Sequence, residues 1–124
     1  MGKFQDLKVW QRAKELAVYI YTITNDGKFS KDFGLRDQIR RAAVSIPSNI
    51  AEGDELGTNK QAVNFFYFSK GSTAEVLAQA IIAKEIGYIN DEICNRIQEE
   101  CAAIAGMLSK LIQARKASPV NRKP

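Results

Sequence analysis

The run QIRRAAVSIPSNIAEG, from Gln38 to Gly53, constrains the fold of this chain more than any other stretch. Leu35, Ile39, Ala42, Ala43, Ile46 and Ile50 recur at three- and four-residue steps, the spacing of one apolar helix face. Gln38, Arg41, Ser45, Ser48, Asn49 and Glu52 recur on another face, and all are polar. Pro47 falls inside the pattern. It has no N–H to give to the carbonyl of Ala43, so the helix is expected to kink there. Ser45, Ser48 and Asn49 are then placed to bond backbone groups freed at the kink. Arg41 is expected to reach Glu75, the acid of Gly71-Ser72-Thr73-Ala74-Glu75. Gln38, Ser45, Pro47, Asn49, Glu52 and Glu75 thus read as a buried polar network that sets register or subunit geometry. A solvated helix face is the plainer account of the same stripe.

Four helical segments emerge, and no strand pattern. The first spans about Asp6 to Asn25, with Asp6 as N-cap and Asn25-Asp26-Gly27 as its stop. The second starts near Asp32, with Ser30 as a candidate cap, and leaves between Gly53 and Gly57 near Glu55. The third opens on the capping box Thr58-Asn59-Lys60-Gln61 and ends at Gly87. The fourth opens on Asn90-Asp91-Glu92 and runs to about Arg115, with Ile93, Ile97, Cys101, Ile104, Leu108 and Leu111 as its core stripe. Short connections between long helices make neighbours antiparallel. The expected fold is therefore all-α: one up-down-up-down four-helix bundle over residues 1–115, followed by a basic, disordered tail, 116–124. The length of 124 residues suits one such core.

Two segments are too apolar for an isolated bundle. Leu16 to Tyr21 and Phe65 to Phe68 are unbroken nonpolar or aromatic runs. Successive helical residues point about 100° apart, so such runs are apolar nearly all the way round. Packing against further copies of the chain is the economical use for those faces, and a homo-oligomer is expected.

Few chemistries are open to the chain. It has no histidine, so the usual general base and commonest metal ligand are missing. There is no Gly-rich phosphate loop, no CxxC pair and no nucleophile elbow. Ser45, Ser48 and Ser72 have no histidine to activate them. Glu52, Asp54 and Glu55 are the one acid cluster, and a solvated turn accounts for them better than a metal-dependent hydrolase. No catalytic residue, cofactor or metal is expected. Cys94 and Cys101, seven residues apart on one helix, are about 10 Å apart along its axis and read as unbridged core residues of a cytoplasmic protein. No signal peptide and no membrane span are expected. Met1-Gly2 fails as a lipidation signal because Asp6 stands where Ser or Thr is required.

The net charge of +4 is unevenly placed. Residues 1–45 carry nine Lys and Arg against five Asp and Glu, whereas residues 46–115 carry six against nine. A basic half favours an anionic partner. Lys8 and Arg12 flank Trp10 at one helical turn, and Arg36, Arg40 and Arg41 form a second group. These five are the candidate RNA- or DNA-binding residues, with Lys116, Arg122 and Lys123 as accessories. Ordinary helix pairing, Asp32 with Arg36 and Asp37 with Arg41, accounts for part of the same pattern.

Phe4-x-x-Leu7-x-Val9-Trp10, the run from Phe33-Gly34-Leu35 through Gly53, Gly71-Ser72-x-x-Glu75 and Gly87-Tyr88-Ile89 together resemble the four-helix-bundle proteins encoded in 23S rRNA intervening sequences. Relatives of that family include the accessory variability determinant proteins of diversity-generating retroelements. The resemblance covers residues 4–112. It implies a homopentamer around a central channel and a basic surface able to engage nucleic acid. In the retroelement relatives it also implies a reverse transcriptase partner, so a structural, protein-binding oligomer is the alternative role. Two positions depart from the family pattern. Lys28-Phe29-Ser30 stands where a proline is common, and Gly53 is followed by Asp54-Glu55 where a basic residue is common.

Overall fold

A computed structural model describes residues 3–56 and 58–118. A single 3-10 turn (Phe4–Asp6) leads into five α-helices: α1 (Lys8–Ile23), α2 (Gly27–Lys31), α3 (Phe33–Glu55), α4 (Asn59–Glu85) and α5 (Asp91–Ala117). The four long helices form the expected antiparallel bundle. In ring order α1 packs on α3, α3 on α4, α4 on α5, and α5 closes back on α1. No strand occurs among the described residues.

The helix starts follow side-chain capping where the sequence offers it. Thr58 Oγ1 accepts from the Gln61 amide at 3.2 Å, and Asn90 Oδ1 accepts from the Ile93 amide at 2.8 Å. Asp32, not Ser30, caps α3 by accepting from the Leu35 amide at 3.1 Å. Ser30 lies inside α2 and donates to the Gly27 carbonyl. Asp6 is not a cap either. The Asp6 and Leu7 amides bond back to Lys3 and Phe4, which places Leu7 at the N-cap of α1. Phe4 then folds edge-on against Trp10, with ring centroids 5.1 Å apart.

The helix ends differ from expectation in two places. Helix α1 stops at Ile23, and the next residue, Thr24, is fully buried and donates its hydroxyl to the Ile20 carbonyl at 2.7 Å. Gly27, at φ +68°, opens α2 instead of starting a loop. That five-residue helix is held by Phe29, which is almost completely buried against the Tyr88 ring. At the far end of α4 the Gly87 amide bonds to Lys84 and the Tyr88 amide to Ala83, with Gly87 at φ +83°. This is the Schellman closure that a glycine stop predicts.

Helix α3 continues through Pro47, which is buried. Ile39, Ala42, Ala43, Ile46 and Ile50 are fully buried, as the periodicity predicts, whereas Leu35 is only half-buried. The seam between α3 and α4 is built from small residues. Ala42 and Ala43 lie opposite a helix carrying buried Ser69, Ser72 and Thr73, and short side chains allow close backbone approach. On α5 the buried stripe begins at Cys94 and ends at Ile112 and Arg115, so Ile93 and Leu111 flank the core instead of filling it. Helix α5 runs on to Ala117, so Lys116 is helical and not part of a tail. The expectations for Met1-Gly2, Gly57 and the tail residues Arg122 and Lys123 lie outside the described residues.

The two over-apolar runs are each divided between the core and the surface of the protomer. Leu16, Ala17, Ile20 and Phe66 enter the core, while Val18, Tyr21, Tyr67 and Phe68 remain exposed, Val18 and Phe68 to 59% each. Ile81, Ile82 and Ile86 extend the open apolar face of α4.

Candidate functional site

The five basic residues singled out above occupy two ends of the bundle. Arg36, Arg40 and Arg41 sit on the first turns of α3, beside the end of α1. Lys8 opens α1, 16 residues before Thr24, or about 24 Å away along the helix axis. No single patch on one protomer contains all five.

Each arginine is also held by the protein. Arg40 donates through Nε to the Thr24 hydroxyl at 2.8 Å and through Nη2 to the Thr24 carbonyl at 3.3 Å, and its guanidinium lies 4.5 Å from the Tyr21 ring centroid. It thereby ties α3 to the end of α1. Arg36 donates to the Ser30 carbonyl and to Asp37, and stacks 4.7 Å from the ring of Phe33. Arg41 bridges Gln38 Oε1 at 3.0 Å and Glu75 Oε2 at 3.2 Å. The i,i+4 pairs Asp32–Arg36 and Asp37–Arg41 do not form. Asp32 is occupied by the Leu35 amide and the Tyr88 hydroxyl, and these two hydrogen bonds hold its carboxyl below the usual carboxylate range. Arg12 pairs with Glu100 of α5 at 2.8 Å, and that hydrogen bond lowers the Glu100 carboxyl despite opposing desolvation. Lys8 is exposed and makes no ion pair among the described residues.

The polar stripe of α3 splits by height. Asn49 donates to the Ser45 carbonyl at 2.9 Å and to its hydroxyl at 3.0 Å, and Ser45 accepts from Ser72 of α4 at 2.9 Å. One residue after Ser45, the Ile46 carbonyl accepts from buried Ser69 at 2.6 Å. These groups bracket Pro47 and lie partly or wholly inside the α3–α4 seam. The Gln38–Arg41–Glu75 bridge is on the surface, and Glu52 is exposed and outside any bridge. The polar residues therefore form two separate groups, not one buried network.

Several interacting residues escaped sequence reasoning. Asp54, 2% exposed, accepts from Arg115 Nη2 at 3.1 Å, joining the ends of α3 and α5. The Glu52, Asp54 and Glu55 cluster is thus divided, with Asp54 turned inward and its neighbours outward. No group of acids and cysteines suited to a metal occurs among the described residues. Lys70 donates to Ser109 at 3.0 Å across α4 and α5. Burial pushes the Cys101 thiol up to about 12. No helix among the described residues is long and apolar enough to cross a membrane.

Between α1 and α3 an apolar groove of about 470 Å³ opens on the surface, lined by Trp10, Val18, Tyr21, Val44 and Pro47 among others. Pro47, buried in α3, thus contributes to the wall of this groove.

The model of a known family, described as 23S rRNA-intervening sequence protein, matches residues 5–110 and so reaches all four antiparallel helices, proline-bearing α3 included. The chain belongs to that family. A crystal structure described as a protein with unknown function from the S23 ribosomal protein family of Bacteroides thetaiotaomicron superimposes with a TM-score of 0.77. It is 24% identical, over 84% of this chain and 97% of that one. At that identity the likeness shows the shared fold. Among curated proteins none matches. The expected departure after Gly53 now has a structural content in this member of the intervening-sequence family. Asp54, which follows Gly53, answers Arg115 in the core.

Proposed function

We propose that this intervening-sequence protein is a non-catalytic homo-oligomer, a pentamer by the family resemblance, that binds RNA or DNA through basic surfaces. The observation that carries the nucleic-acid reading is the grouping at the start of α3. Arg36, Arg40 and Arg41 stand beside exposed Lys28 and Lys31, and Phe33 presents a ring that is 65% exposed with Arg36 against it. Guanidinium donors suit phosphates, and an exposed aromatic ring suits an unstacked base. Each guanidinium has five N–H donors, so the bonds to Thr24, Ser30 and Glu75 orient these groups without exhausting them. Lys8 and Arg12 at the opposite end join a common surface only in an assembly, where repetition raises effective concentration. No membrane partner is proposed, and a cytoplasmic location is.

A salt series of RNA binding tests the reading. Affinity is expected to fall steeply as salt rises, and K28E/K31E with R41E is expected to flatten that slope. Loss of salt dependence in the unmodified protein, or no binding at low salt, overturns it. Light scattering coupled to gel filtration tests the assembly: a 13.8 kDa species in solution rules out the oligomer, and a number other than five rules out only the pentamer.

A second reading is favoured by the apolar groove and by the open α4 face with Phe68, Ile81, Ile82 and Ile86. In it the oligomer is a structural scaffold for a protein partner, of the reverse-transcriptase accessory type, with no nucleic-acid role of its own. Retained assembly with no RNA binding would select this reading.

A further inference from the structure

The end of the bundle where α4 starts and α5 finishes holds a hollow of about 490 Å³. Its polar lining is Asn59, Lys60, Asn64, Tyr67, Arg115, Lys116 and Ser118. Every one of these side chains can donate a hydrogen bond, and no carboxylate lines the hollow among the described residues. Other hollows are unlike it. The groove between α1 and α3 is almost wholly apolar, and the one beside Arg96 contains Glu15 and Glu100.

Three features make the donors hold position. Arg115 has a side chain 9% exposed, fixed by Asp54 on one side and by the Phe66 ring, 5.2 Å away, on the other. Lys116 donates to the Tyr67 hydroxyl at 3.1 Å and lies 5.2 Å from the same ring. Tyr67 accepts in that bond, so its own proton remains available to a ligand. The 27-residue helix α4 begins at this wall and directs the positive end of its dipole there. Asp54 offsets the charge of Arg115, and Lys60 and Lys116 leave the hollow net positive.

We propose that this hollow is a binding site for a phosphate group, carried either by a small phosphate compound or by the 5′ end of a nucleic-acid strand. A compact multi-oxygen anion matches the net positive charge that Lys60 and Lys116 bring to a wall without carboxylates, and a cationic ligand would be repelled there. The site lies a helix length from the arginines at the start of α3, about 34 Å for the 23 residues of that helix, and is independent of them.

Calorimetric titration of the full chain with inorganic phosphate at constant ionic strength tests this. Saturable binding in the millimolar range or tighter is expected. K60E and K116E are each expected to weaken it by about tenfold or more, with the helical circular dichroism and melting curve preserved. Lys84→Glu, in the last turn of α4 at the other end of the bundle, is expected to leave it unchanged. No saturable heat in the unmodified chain overturns the proposal, as does undiminished affinity in K60E/K116E. Two RNA oligonucleotides that differ only in a 5′-phosphate or 5′-hydroxyl then separate the sources. A phosphate-dependent gain that K60E/K116E abolishes assigns the strand end, and equal binding of the two strands beside intact phosphate binding assigns the small compound. A 5′-phosphate gain that persists in K60E/K116E counts against the hollow as its site.

Discussion

Asp54 and Arg115, 61 residues apart in sequence, meet at 3.1 Å with both side chains almost out of solvent. The contact joins the last turn of α3 to the last turn of α5 behind the start of α4. Removing one partner leaves a buried charge without its counterion. Asp54→Ala is expected to destabilise the fold by about 3–5 kcal/mol, measured by urea unfolding, whereas replacing both with apolar residues of like volume recovers most of the loss. A single replacement costing less than about 1 kcal/mol would show that the pair is not desolvated.

Glycine substitutions should separate two kinds of site. A methyl group at Gly53 would stand 2.7 Å from Phe66 Cε1 and 3.2 Å from the Ala62 carbonyl. Gly53→Ala is therefore expected to cost about 1–3 kcal/mol through overpacking. Gly106 meets nothing within 4 Å, so Gly106→Ala is expected to raise stability by up to about 1 kcal/mol through helix propensity. Equal shifts of the urea midpoint in the two variants would contradict the packing described.

The difference between what was legible in the sequence and what was not follows from range. The buried face of α3 declared itself because Ile39, Ala42, Ile46 and Ile50 repeat with the helical period, and the caps at Thr58 and Asn90 because their partners are three residues on. Helix α2 did not, because its five residues, opening on the Gly27 of Asn25-Asp26-Gly27, are too few to show a period and resemble a turn. The partners of Arg12 and Arg40 lie 88 and 16 residues away, and no local pattern ranks them above the nearer acids. Asp54 and Arg115 did leave a trace. Ile46, Ile50 and Asp54 continue one stripe at four-residue steps, and Leu108, Ile112 and Arg115 continue another at steps of four and three. A charge at the end of an apolar stripe has the same spacing whether it is solvated or buried, and only the approach of α5 to α3 turns this pair inward. The candidate site residues were named individually, but their division between two ends of the bundle depends on tertiary geometry alone.

The cysteines should be chemically silent in the native protein. Cys94 and Cys101 are both buried, and desolvation holds the Cys101 thiol near 12, so almost no thiolate exists at neutral pH. A disulfide reagent at pH 8 is expected to label neither thiol until denaturant is added. Rapid native labelling would reveal opening of the α4–α5 wall.

Acid should weaken the closure of the ring between α1 and α5. Arg12 lowers the Glu100 carboxyl in the folded chain relative to its ordinary value near 4.5. A depressed carboxyl contributes fully above its unfolded pKa and loses the contribution as pH falls through the folded one. Glu100→Gln is expected to be less stable than the parent at pH 7 by up to about 1 kcal/mol, since Arg12 is 45% exposed, and equal to it near pH 2. A gap that stays constant across this range would show that packing, not charge, is lost.

Tyr88 closes the turn between α4 and α5, yet its hydroxyl donates to Asp32, the cap of α3, and its ring covers Phe29 of α2. Helix α1 likewise has α5 as one of its two walls. A ribosome therefore delivers the N-terminal elements long before the residues that finish them. Until the chain through Tyr88 has emerged, α2 lacks its cover, and until α5 follows, one side of α1 stays open. During synthesis the oldest part of this protein is the last to be sealed, and that interval is when its apolar faces are available to chaperones or to neighbouring nascent chains.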